Sequence, residues 1–241
     1  MVRFENVSRD YGSFKAVKEL NLRIPAGECF GFLGPNGAGK TTTLKMLAGL
    51  LIPTTGKIFV VGHDVQQEPL KAKQEMAFVP DKPFIYDKLT GREFLDFILD
   101  IYGFSQNGVR QEREELLELF SLAEWQDELL ENYSHGMKQK LIITGAFIHE
   151  PKLLVIDEPM VGLDPYGHKL VKELFGKFVA SGNSIFLSTH QLSVAQEICD
   201  RISIIDHGKV VATGSVDELK KTASIETGQL ESIFLKLTDK P

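Results

Sequence analysis

Residues 34–42 read Gly-Pro-Asn-Gly-Ala-Gly-Lys-Thr-Thr, and no other stretch narrows the possible folds as much. The segment satisfies G-x-x-x-x-G-K-[ST], the phosphate-binding loop of nucleoside triphosphatases. Its flanks suit that reading. Glu28 to Leu33 is short and apolar, which predicts a strand. The residues from Thr43 onward have helical spacing, with Leu44, Leu47, Ala48 and Leu51 on one face. The glycines let the chain turn tightly, so that successive backbone N–H groups point at one centre. The helix that follows aims the positive end of its dipole at the same centre. Lys40 adds a point charge suited to β- and γ-phosphates, and the Thr41 hydroxyl suits Mg²⁺.

A chain of 241 residues, 43% hydrophobic, suits one large domain or a domain with a lobe. The 27 basic and 33 acidic residues leave a net charge of −6, with no electrostatic footprint for nucleic acid or for an anionic membrane. The basic runs are only pairs such as Lys220-Lys221. The cysteines, Cys29 and Cys199, are far apart in sequence and follow no metal-binding spacing, so both read as reduced, structural thiols. No apolar run approaches the ~18 residues that cross a bilayer. The first residues alternate like a strand rather than forming a signal peptide. Any membrane role is therefore expected through a partner chain.

Residues 1–33 read as β, with a turn at Asp10 to Ser13 and another at Pro25-Ala26-Gly27. Lys57 to Val61 predicts a strand, 68–76 a helix, and Met76 to Val79 a strand stopped by Pro80. From about 88 to 149 the texture becomes helical. One stripe is Phe94, Phe97, Ile98 and Ile101, a second is Leu116, Leu117, Phe120 and Leu122, and a third runs from Gln139 to Ile148. Strands resume at Leu153–Ile156, Ser184–Ser188 and Arg201–Ile205, with helices at about 166–181 and 192–198. This alternation predicts a largely parallel sheet covered on both faces, with a helical lobe inserted. Leu230, Ile233, Phe234 and Leu237 predict a final amphipathic helix.

The strand Leu153 to Ile156 ends in Asp157-Glu158-Pro159. Ligands of open α/β sheets bind at the carboxyl ends of strands, which puts both carboxylates beside the phosphate loop. Asp157 is placed to hold Mg²⁺ directly or through water. Glu158 can polarise an attacking water, because like charge from phosphate oxygens favours a proton on a neighbouring carboxylate.

Several motifs then stand in one order and spacing. The phosphate loop is followed by Tyr133-Ser134-His135-Gly136-Met137-Lys138-Gln139, whose last residue precedes Asp157 by 18 positions. After the carboxylate strand come Gly162-Leu163-Asp164 and, at a later strand end, Ser188-Thr189-His190. Over residues 2–215 the chain resembles the ATPase subunits of ATP-binding-cassette (ABC) transporters. The resemblance implies an α/β fold: a P-loop core with a mostly parallel sheet, an N-terminal antiparallel β region and an inserted helical subdomain. It implies an ATPase domain over 1–215, with the subdomain at about 88–149, and a short helical extension at 216–241.

The resemblance also implies site residues. ATP would be bound by Tyr11, Ala16, Gly34, Pro35, Asn36, Gly37, Ala38, Gly39, Lys40, Thr41 and Thr42, with Tyr11 stacking on adenine for roughly 1–3 kcal/mol. Ser134 and Gly136, at a helix start suited to anions, would meet the γ-phosphate held by a second ATPase chain. Catalysis would fall to Glu158, His190 and Lys40, and Mg²⁺ to Thr41, Asp157 and Asp81. Asp164 would belong to the D-loop at the dimer interface. One His190 nitrogen would serve the γ-phosphate or the water, the other the opposite D-loop. Two departures stand out. His135 and Met137 replace Gly and Gln in the signature. Asp81, after Val79-Pro80, replaces a Gln or Glu, one methylene shorter than glutamate and unable to donate like an amide. His135, being titratable, adds a possible pH effect.

The implied activity is ATP hydrolysis in a head-to-tail dimer, a homodimer on this reading. It would drive transport through a separate polytopic membrane subunit contacted by the helical lobe and by residues 81–87. The chain would lie on the cytoplasmic face of the membrane and bind no nucleic acid. The style of the 79–81 segment and of the tail is similar to that of bacterial exporter subunits. The rivals are a soluble ABC ATPase acting on translation or DNA, which usually carries two cassettes or a coiled-coil insertion, and a plain P-loop kinase or GTPase, which would lack the signature.

Overall fold

A computed structural model describes residues 1–82, 85–104, 110–225 and 229–238. In chain order the elements begin β1 (Val2–Tyr11), β2 (Phe14–Ile24), β3 (Cys29–Leu33), α1 (Lys40–Leu47), β4 (Thr55–Val60), β5 (His63–Asp64), α2 (Pro69–Gln74) and β6 (Met76–Val79). The lobe follows with α3 (Gly91–Tyr102), α4 (Arg110–Leu119) and α5 (His135–Phe147). Then come β7 (Leu153–Asp157), α6 (Pro165–Ala180), β8 (Ser184–Ser188), α7 (Leu192–Ile198), β9 (Arg201–Asp206), β10 (Lys209–Gly214), α8 (Val216–Thr222) and α9 (Leu230–Leu237).

The strands form two sheets. One is antiparallel, ordered β2-β1-β4-β5; the other is ordered β10-β9-β3-β8-β7-β6. In the second, β6, β7, β8, β3 and β9 run parallel, and β10 pairs antiparallel with β9 at the edge. The parallel strands β3, β7 and β8 are buried at every residue, as expected of strands covered on both faces.

Alternation along the strands sends side chains into two cores. Leu153 and Val155 of β7, Phe30 and Phe32 of β3 and Phe186 of β8 face α1 and the antiparallel sheet. There Phe186 collects the rings of Phe4, Phe30 and Phe32 at centroid distances of 5.4–6.2 Å. Leu154 and Ile156 face the other way, toward α5, α6 and the lobe. The phosphate-loop helix is thus clamped between the sheets, and β7 joins both cores while delivering its terminal carboxylates to the rim.

Two sequence expectations are corrected. The helix after the phosphate loop ends at Leu47, because Ala48 caps it and Gly49 turns into the left-handed region at φ +65°; Leu51 lies beyond it. In α3 the covered face is Phe94, Leu95 and Leu99, whereas Phe97 and Ile101 of the expected stripe are 43% and 65% exposed. The two cysteines, far apart in sequence, meet in the fold. Cys29 on β3 and Cys199 after α7 lie side by side, both as free thiols, and the hydrogen bond with Cys29 together with burial pushes the Cys199 thiol well above its ordinary range.

Candidate active site

The phosphate loop leaves β3 and returns as α1. Gly39, the residue before the helix, has φ +111°, a conformation that L side chains rarely adopt. A Cβ there would also collide with the Ala16 carbonyl oxygen. Ala16 itself is buried in β2, so it braces the loop from behind through its backbone. A second brace is Gly208, whose N–H donates to the Ala38 carbonyl at 3.0 Å and whose carbonyl accepts from Lys18 N–H at 2.8 Å. Lys40 Nζ donates to the Gly34 and Pro35 carbonyls at 2.7 and 3.2 Å, closing the loop with its own side chain. The first helical bond runs from Thr43 N–H to the Gly39 carbonyl. The N–H groups of the first turn, at Thr41 and Thr42, therefore precede the ladder and face the loop's concavity. Asn36, Gly37 and Thr41 are exposed, as a docking anion requires.

The carboxylates stand opposite. Thr41 Oγ1 donates to Asp157 Oδ2 at 3.2 Å, joining the end of β7 to the start of α1. Burial pushes the Asp157 carboxyl up, and the nearby Glu158 and Asp81 charges add to that push, while the Ser188 and Thr41 hydroxyls oppose it. Asp81, exposed after β6, is thus within electrostatic reach of Asp157. Glu158 has φ +54°, an unusual conformation for a residue with a side chain, of the kind that clusters at active sites. Its Oε1 accepts from His190 N–H and faces His190 Nδ1, both at 2.7 Å, and its Oε2 accepts from Thr189 Oγ1 at 2.9 Å. With Nδ1 facing Glu158 within the chain, Nε2 is left as the second polar atom of the ring, the nitrogen available to a group beyond the chain.

Tyr11 ends β1, 47% exposed, with the Arg9 guanidinium 4.8 Å over one face of its ring. Ser134 caps α5, accepting from Met137 N–H at 3.2 Å. The His135 imidazole fills the space beside Gly162, and Gly136 packs close to the Gly162 carbonyl. Gln139 Nε2 donates to the Pro159 carbonyl at 3.3 Å. Asp164 Oδ1 accepts from Gly167 N–H at 2.7 Å and so caps α6.

The profile of the family described as "ABC transporter" matches residues 17–161. The daunorubicin/doxorubicin resistance ATP-binding protein DrrA of Streptomyces peucetius is 40% identical over 212 residues, 88% of this chain and 64% of that protein. The solved ATP-binding subunit of an ABC transporter superposes with a TM-score of 0.94 at 32% identity, covering 98% of this chain and 99% of the other. A dimeric ATP-binding cassette in a post-hydrolysis state, bound to ADP and Pi, gives a TM-score of 0.78 at 25% identity, covering 90% and 99%. The chain belongs to the ABC transporter family. It is an ATP-binding ATPase of that family with the expected fold, though it spans less than two thirds of DrrA.

In this ABC ATPase the structure gathers Gly34 to Thr42, Asp157, Glu158 and His190 at one rim, with Asp81 nearby. The 133–139 segment and Gly162 to Asp164 form a second unit, tied to each other by the His135 packing and to the Glu158 loop by Gln139. Thr189 is a site residue that motif spacing missed. Its signal was faint: a hydroxyl directly before His190, at a strand end. Lys138 Nζ pairs with Asp87 Oδ1 at 2.6 Å, joining the signature helix to the segment after Asp81; residues 83 and 84 of the 81–87 loop lie outside the described residues.

Proposed function

We propose that the chain is the energy-supplying subunit of a bacterial exporter, in which two copies sandwich two ATP molecules head to tail on a separate polytopic membrane subunit. The observation that carries the reading is the convergence of the Thr41–Asp157 pair and the Glu158–Thr189–His190 cluster on the phosphate loop. The ATPase domain is assigned to 1–215 with its lobe at about 88–149, and 216–241 forms a short extension. No helix among the described residues is long and apolar enough to cross a membrane. Attachment to the cytoplasmic face would then come through the partner, contacted by the lobe and residues 81–87, and no nucleic acid is bound.

Mg²⁺ fits these residues. Among the described residues no group of three or more His, Cys, Asp or Glu side chains could hold a metal alone. The Thr41 hydroxyl and Asp157 carboxylate stand together, the usual protein share of an ion otherwise held by phosphates and water. Asp81 would act through water. When bound, the ion neutralises phosphate charge. The loop N–H groups and Lys40 then orient the triphosphate, with Tyr11 stacked on the base. Glu158 takes a proton as water oxygen attacks the γ-phosphorus, the bond to the β-phosphate oxygen breaks, and ADP and phosphate result. Ser134 and Gly136 would close on that γ-phosphate from the second chain, with Asp164 holding the D-loop start of α6 in place.

Affinity purification of the chain from detergent-solubilised membranes tests the assembly. It should recover a polytopic membrane protein together with two copies of the chain, and vesicles bearing the complex should transport in the presence of ATP. Recovery with ribosomes or DNA, and no membrane protein, would refute it.

Asp81 offers a sharper measurement. Asp157, Glu158 and a triphosphate already crowd the site with negative charge, and Asp81 adds to it. Asp81→Gln should therefore keep or raise basal ATP turnover. Loss of hydrolysis with ATP binding intact would show that the aspartate is an essential metal ligand.

A further inference from the structure

The C-terminal helix reaches the catalytic rim from behind. Leu230 and Ile233 of α9 are fully buried in a cluster with Leu33, the residue directly before Gly34, and with Ala195 of α7, the helix that starts two residues after His190. Both chain segments that carry the site, the end of β3 and the start of α7, therefore rest on the same helix. The next residue, Phe234, lines a recess of about 180 Å³ together with Gly34, Pro35, Asn36, Thr189, His190 and Leu192. The position of α9 is set elsewhere. Leu230 N–H donates to Gln196 Oε1 at 2.8 Å, and Lys236 Nζ donates to the Ser224 carbonyl at 3.3 Å. The helix is thus tied to α7 and to the end of α8, and presents Phe234 from a fixed base.

We infer that Phe234 is a positioning residue of the ATPase, acting through His190 and the Pro35–Asn36 turn. The His190 side chain is 65% exposed, and Glu158 restrains it at Nδ1. A single hydrogen-bonded edge leaves a ring free to swing about that contact; Phe234, lining the same recess, is placed to limit the swing. An aromatic ring is suited to this, because it is rigid beyond two torsions and fills volume without competing for the polar groups of the site. The recess is lined by the entry of the loop, Gly34 to Asn36, and not by Lys40 or Thr41 at the start of α1. Phe234 therefore bears on His190 and on the entry turn of the loop rather than on Lys40 and Thr41.

The test compares Phe234→Ala with Phe234→Leu in the full chain, measuring ATP turnover against substrate concentration, ADP affinity by calorimetry and the thermal midpoint. Phe234→Ala should lower kcat about tenfold, a fraction of the hundredfold that a 1 Å misplacement can cost. ADP affinity and KM should stay within about threefold, while the thermal midpoint falls by several degrees, because the partly buried ring packs against the cluster of Leu33, Leu230 and Ile233. Phe234→Leu, which restores bulk at the recess, should recover at least half of the parent kcat. A Phe234→Ala chain with the parent kcat overturns the inference. So does one in which kcat, ADP affinity and thermal midpoint all fall together, because that pattern marks a structural prop and not a positioning contact. Neither result bears on the exporter assignment, which rests on the membrane complex.

Discussion

Glu158→Gln will keep ATP bound and stop its hydrolysis. In the folded chain both carboxylate oxygens are engaged, Oε1 by the two His190 nitrogens at 2.7 Å and Oε2 by Thr189 Oγ1 at 2.9 Å. Glutamine matches this shape. Its carbonyl oxygen can accept from His190, and its NH₂ can donate to the Thr189 oxygen, which also accepts from Gln191 N–H. What it lacks is a lone pair basic enough to take the proton of the attacking water. General-base catalysis is worth about 10²–10⁴-fold, so turnover should fall by at least about a hundredfold while ATP affinity stays within about threefold. With ATP present and hydrolysis blocked, the chain should elute at twice the monomer mass, since the closed pair can no longer open. Normal turnover would move the base elsewhere, with His190 the next candidate.

Lys40→Ala should weaken ATP binding by about a hundredfold or more. Lys40 does two things in the structure. Its Nζ bonds the Gly34 and Pro35 carbonyls and so holds the mouth of the loop, and it carries the loop's only side-chain cation. Hydrogen bonds to charged groups contribute roughly 1.5–3 kcal/mol each, and the alanine chain loses two or more of them at the β- and γ-phosphates. The core should be unaffected, because the Lys40 side chain is half-exposed and α1 is anchored by Leu44, Met46 and Leu47. Titration with Mg·ATP, beside a thermal melt of the same sample, separates the two. Unchanged affinity would defeat the phosphate-loop assignment.

The comparison of these residues with the sequence is instructive because their legibility differs. Gly34 to Thr42 could be read directly: the glycines, the lysine and the threonine do their chemistry within nine consecutive residues, and their spacing is the function. Asp157 and Glu158 were readable one step removed, because an apolar run of strand length ending in two carboxylates has one buried register in a parallel sheet. Periodicity failed in α3. It showed that the helix has an apolar arc, but Phe97 and Ile101 lie on the half that no described element covers fully, and only packing decides which half that is.

What the sequence determined by itself, then, was local: which backbone turns where, which strand ends carry charge, and which order of motifs places the chain among ABC ATPases. The tertiary structure decided what those residues face. Glu158 is held by Thr189 and His190, more than thirty positions away, because β7 and β8 are neighbours in the sheet and end at the same level. Cys29 and Cys199 meet because Cys29 lies one residue before the paired stretch of β3 and β9, and Cys199 two before it. Phe234 reaches the phosphate loop because Leu33, Leu230 and Ile233 are buried in one cluster. Each of these contacts joins segments whose separation along the chain carries no periodic signal. Burial of apolar surface between distant elements brings them together, and that driving force has no direction until the whole sheet is assembled.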